Sequence, residues 1–168
     1  MFNFEEMLKK SVADFRLSEK KSNFAVNKNN RLQKAYINLD ISLSRLAKDS
    51  KRFSILSNSN MNIDITNYKN TMIKDFTESM NLFFLVANLK NWNHLIIISD
   101  DEQNKLFKNK ADKEFSNVYL VIKKMMINSF FNHSEKDFTY AWKIFNKFGI
   151  VDMNLSIDDI SKEFFNKN

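Results

Sequence analysis

Asp75 and Glu78 stand three residues apart in a largely apolar segment, Met72-Ile73-Lys74-Asp75-Phe76-Thr77-Glu78-Ser79-Met80-Asn81-Leu82-Phe83-Phe84-Leu85-Val86. On a helix, residues three apart share a face. Continuing that face forward reaches Leu82 and Leu85, which the pattern expects to be buried. Two carboxylates on a stripe that runs into a core need a counter-charge, a metal ion or water. Hard divalent cations prefer oxygen ligands, so the pair is a candidate cation site within a helical bundle. The same spacing also occurs on solvated helix faces, where it binds nothing.

The elements that must position this pair are helical. The chain has no proline and one glycine in 168 residues, so tight hairpin turns are nearly unavailable. The apolar spacing predicts a first helix over 4–21. A second is expected over 31–53, with Leu32, Tyr36, Leu39, Leu43, Leu46 and Phe53 on one stripe and Asn38, Ser42, Arg45 and Asp49 on another. A third, over 66–88, carries the carboxylates. Residues 91–94 read as a break, and Leu95-Ile96-Ile97-Ile98 as extended chain or a single turn. Asp100-Asp101-Glu102 favours a helix start by its charge. That fourth helix runs to about Phe131, with a possible break near 110–113. Ser134 is a natural cap for a fifth helix, and Gly149 a natural left-handed residue to close it. A short last helix opens at Ser156. The expected fold is all-α, a bundle of five or six helices in one domain over residues 1–168.

Composition narrows the chemistry. Without cysteine, thiol catalysis, disulfides and zinc–thiolate sites are excluded. No glycine-rich phosphate loop is present, which removes P-loop and Rossmann chemistry. His94 and His133 read as loop or helix-end residues, and Trp92 and Trp142 as core or interface anchors. No apolar run approaches a membrane span or a signal peptide, so a cytoplasmic protein with no membrane partner is expected. Residues 1–74 hold 14 Lys/Arg against 7 Asp/Glu, whereas residues 75–168 hold 12 against 13. A basic half attracts polyanions. Its lysines are scattered, however, and nucleic acid is the less favoured partner.

Three stretches resemble the dimeric all-α dUTPases of the MazG-like nucleotide pyrophosphohydrolase superfamily. The first is Leu39 to Phe53, where the family has E-x-x-E, then L-A-N-E and an aromatic. The second is Asp75-Phe76-Thr77-Glu78-Ser79-Met80-Asn81-Leu82-Phe83-Phe84, beside the family's E-Y-V-D-G-L-H-F. The third is Phe138 to Asn168, beside a helix, a turn and a helix ending in Y-x-x-K-N. The resemblance implies a helical nucleotide pyrophosphohydrolase in which four carboxylates on two helices hold Mg²⁺ at a triphosphate. Here it implies metal-binding and catalytic roles for Asp49, Asp75 and Glu78. It implies nucleotide-binding roles for Asn81, Lys167 and Asn168.

The departures change the expectation. The E-x-x-E positions fall on Ser42 and Arg45, so a neutral group and a cation replace two acids. The family's C-terminal clamp, N-x-x-R-Q-x-x-G-Y, has no counterpart before Asn168. Arg45 can instead pair with Asp75 or Glu78 across the helices and satisfy the acids without metal. The resemblance therefore implies a divergent member, weak or inactive as an enzyme and kept for nucleotide or protein binding. The alternatives are an active Mg²⁺-dependent dUTP/NTP pyrophosphohydrolase using Asp49, Asp75 and Glu78, and a basic helical nucleic-acid-binding protein. The 17 phenylalanines, with one member each of Phe83-Phe84 and Phe130-Phe131 facing outward, suggest a two-fold homodimer.

Overall fold

The computed structural model describes residues 1–21, 28–53 and 65–166. Among these residues every regular element is helical: α1 (Phe4–Lys21), α2 (Lys28–Asp49), α3 (Ile65–Lys90), α4 (Asn93–Ile96), α5 (Asp100–Phe107), α6 (Phe115–Phe131), α7 (Glu135–Lys147) and α8 (Ile157–Asn166). The all-α expectation holds. The count exceeds five or six because the expected fourth helix is two, broken between Phe107 and Phe115, and because Asn93–Ile96 forms a one-turn helix.

Two hairpins of long helices organise the fold. α2 packs along α3, and α6 along α7, while α1 and α8 cover α3. Leu39, Leu43 and Leu46 place the apolar stripe of α2 in the core. Burial of each such side chain contributes about 2 kcal/mol. Where α3 meets α7 the core is aromatic. Phe76 stacks on Phe145 at 4.4 Å between ring centroids, and Phe83 lies 5.3 Å from Trp142. The indole Nε1 of Trp142 donates to the Ile96 carbonyl at 2.9 Å, which docks the short α4 against the bundle.

Left-handed backbone positions fall to Lys51, Asn91, His133 and Asn154 in a chain with almost no glycine. Asn91, at φ 60°, ends α3, and the following Trp92 N–H reaches back to the Ala87 carbonyl at 2.7 Å. Asparagine tolerates this region better than most residues. Ser134 caps α7 as expected, accepting from the Asp137 N–H at 3.1 Å. Ser99 does the same for α5 through Glu102 N–H.

Four expectations need correction. α2 ends at Asp49, not Phe53, because Lys51 turns left-handed; Phe53 packs on Tyr119 from beyond the helix. Gly149 does not close α7 with a positive φ. It lies in a wide π-type turn, Phe148–Asp152, and a Cβ there would come within 2.1 Å of the Phe76 ring. The glycine is needed for close approach. Leu82 and Leu85 are only half-buried, since the stripe they share with Asp75 and Glu78 runs along the margin of the core. Phe83 and Phe84 are both fully buried, because α3 is enclosed by α7 on one side and α8 on another; only Phe131 of the second pair is exposed, at 73%.

Candidate functional site

α2 and α3 run antiparallel, and the polar stripe of α2 meets the carboxylates of α3 rung by rung. Ser42 lies against Ser79, with their hydroxyls 2.8 Å apart in the buried seam. One turn along, Arg45 Nη1 donates to Glu78 Oε2 at 2.7 Å. One turn further, Asp49 faces Asp75, near enough to act on its charge. Three of the residues singled out by pattern, Asp49, Asp75 and Glu78, therefore meet on one interhelical face together with Arg45.

The electrostatics differ along this ladder. Asp75 is 7% exposed, and its Oδ2 is buried without a donor among the described residues. Asp49 and Glu78 place two further carboxylates near it, and like charges this close disfavour its ionised form. Burial first, then the proximity and charge of Asp49, push the Asp75 carboxyl up to about 6. The Arg45 guanidinium opposes the shift, and Glu78 adds to it. Glu78 is different. Its side chain is 40% exposed and tied to Arg45. An exposed pair of this kind contributes about 0–1 kcal/mol, so Arg45 matters here more for charge balance than for stability.

Along the ladder one guanidinium offsets one glutamate. Divalent cations need several ionised oxygen donors at short range. Among the described residues, no group of three His, Cys, Asp or Glu side chains has metal-holding geometry. With Glu78 held by Arg45 and burial favouring the protonated form of Asp75, these side chains are a poor fit to Mg²⁺.

Asn81 lies one turn beyond Glu78 and accepts at 2.5 Å from the hydroxyl of Ser11 on α1. It thus ties α1 to α3 and does not extend the carboxylate ladder. Lys167 and Asn168 lie outside the described residues. Pattern reading missed Ser79, although its i,i+4 spacing from Asp75 placed it on the same face. His94 and His133 are exposed at helix ends, as expected. His133 Nδ1 lies 2.8 Å from Lys90 Nζ, and His94 lies 3.9 Å from Glu135.

The described helices include none long and apolar enough to cross a membrane. No protein-family model, no curated protein and no solved structure matches the chain.

Proposed function

We propose that this chain is a divergent relative of the all-α dUTPase-like nucleotide pyrophosphohydrolases, weak or inactive as an enzyme and kept for binding. The observation that supports this reading is the 2.7 Å contact between Arg45 and Glu78. In a metal-dependent member a divalent cation would neutralise that acid. Here a side chain of the facing helix does so, and it adds positive charge where the chemistry needs an excess of negative ligands. Ser42, spent on a hydrogen bond to Ser79, supplies no charge. Asp75, whose carboxyl is pushed up to about 6 by burial first, is not a free ligand at mildly acidic pH. The ladder serves as an internal clasp between α2 and α3, and what remains of the ancestral role is recognition of a nucleotide or of a protein partner. A two-fold homodimer belongs to the same reading; light scattering giving the mass of one chain would remove it.

The test is pyrophosphate release from a panel of deoxynucleoside and ribonucleoside triphosphates with Mg²⁺. No turnover above the rate without protein is expected. Turnover that disappears in Glu78→Gln would instead establish a working pyrophosphohydrolase that uses Asp49, Asp75 and Glu78.

A further inference from the structure

The face opposite the carboxylate ladder has a different character. α2 is held mainly by α3, and α6 mainly by α7, so the two hairpins meet only lightly along α2 and α6. Tyr36 and Ser129 seal the bottom of that seam with a 3.0 Å hydroxyl contact, and Tyr36 packs edge-on against Phe130 at 5.0 Å. Above this floor a groove of about 540 Å³ stays open. Ile37 and Ile127 form its walls at 58% and 43% exposure, and Phe131 stands at its end at 73%. Ile41, one turn along α2, extends the apolar surface at 50% exposure. Apolar side chains this exposed and this close together mark interaction surfaces in soluble proteins.

The rim is basic on balance. Lys34 lies one turn from Ile37 and Lys124 one turn from Ile127, and both are exposed with no acid partner among the described residues. The one acid lining the groove, Asp40, is already paired with Lys123. Such a surface complements apolar side chains flanked by carboxylates. A second copy presenting the same face would set lysines against lysines, which disfavours self-docking. The shape is also specific. Two antiparallel helices with an open seam accept a third helix, whose i, i+3, i+4 and i+7 side chains fill the groove. A flat bilayer would not reach its floor.

We infer that the α2–α6 groove is a docking site for an acidic amphipathic helix of a partner protein, with its apolar face seated on Ile37, Ile127 and Phe131 and its carboxylates on Lys34 and Lys124. The inference concerns the face away from Asp75 and Glu78 and stands whether or not the pyrophosphohydrolase reading holds.

The probe is a fluorescein-labelled helical peptide with leucines at i, i+3, i+4 and i+7 and glutamates flanking them. It is followed by anisotropy with the full chain at low and high salt. A scrambled peptide and a lysine-flanked peptide serve as controls. Binding of the acidic peptide is expected to be at least fivefold tighter than that of either control and to weaken with salt. Ile37→Glu should abolish it. Lys34→Glu with Lys124→Glu should reverse the preference between acidic and basic peptides, while circular dichroism stays unchanged. Equal binding of all three peptides, or no binding by a folded chain, overturns the inference. So does self-association that Ile37→Glu removes, which would give the groove to a second copy. Peptide-independent binding to anionic vesicles that is lost in the same variant would give it to a membrane.

Discussion

Asp75→Asn should make the protein more stable at neutral and alkaline pH than at acid pH relative to the native sequence. The Asp75 carboxyl is buried beside Asp49, and its pKa in the folded chain is about 6, against 3.8 when unhindered. The native state therefore favours the protonated form. The stability that this group contributes is fully present below about 3.8 and is lost as pH rises through about 6. A shift of about two pH units corresponds to at most about 3 kcal/mol. Because the shift also reflects the neighbouring charges of Asp49, Arg45 and Glu78, on the order of 2 kcal/mol is the expected size. An asparagine amide is uncharged at every pH, so the variant escapes the loss. Urea unfolding at a series of pH values from 4 to 8, read for both proteins, isolates the effect, since titrating groups away from Asp75 cancel in the difference. The variant should gain on the native chain between pH 4 and 8 by that amount, equivalent to about 4–8 °C in melting temperature for a chain of this size. Parallel pH profiles would refute the buried, upshifted carboxyl of Asp75. A gap that closes when Mg²⁺ is added to the native chain would show that a metal, not a proton, relieves the pair.

Gly149→Ala should destabilise by about 1–3 kcal/mol, because the new methyl group would overlap the Phe76 ring; thermal unfolding should show part of the loss recovered when Phe76→Leu is added. Lys147→Met should cost about 3 kcal/mol in chemical denaturation, since it strips the ammonium from Asp152, whose side chain is fully buried. Burial works against the Lys147 ammonium, but its hydrogen bonds to Asp112 and Asp152 hold its pKa above the usual lysine value, so that contribution should persist through neutral pH and fade only in strong alkali. Arg45→Gln should change stability by less than about 1 kcal/mol in the same assay, because the Arg45–Glu78 pair is nearly half exposed on both sides.

Helix order was readable from the sequence because it depends on spacing within one segment. Leu39, Leu43 and Leu46 repeat at bundle intervals, and all three are buried. The contact between Arg45 and the acids of α3 was readable too, since opposite charges on facing stripes have few other places to go. Features that depend on two distant segments were not. Gly149 looks like a helix terminator until Phe76, more than seventy residues earlier, is seen to occupy its side-chain space. The phenylalanines looked like a surplus for a second copy, yet Phe2, Phe4, Phe76, Phe83, Phe84, Phe138, Phe145, Phe148 and Phe164 all find burial within one chain. Ile37 and Ile41 fall off the stripe of Leu39, Leu43 and Leu46, so their exposure was readable from spacing; the groove that Ile37 lines follows from how lightly α2 meets α6, which no local pattern records. The upward shift of the Asp75 carboxyl likewise requires knowledge of burial, which type and spacing do not carry.

The most direct test of the account is a calorimetric titration of Mg²⁺ into the native chain and into Arg45→Glu at slightly alkaline pH. If the guanidinium stands in place of a cation, the native chain will show no saturable heat, and Arg45→Glu, with an acid placed beside Glu78, will gain a binding event that Glu78→Gln removes. One-to-one Mg²⁺ binding by the native chain, lost in Glu78→Gln, would contradict the account and return the carboxylate ladder to metal chemistry.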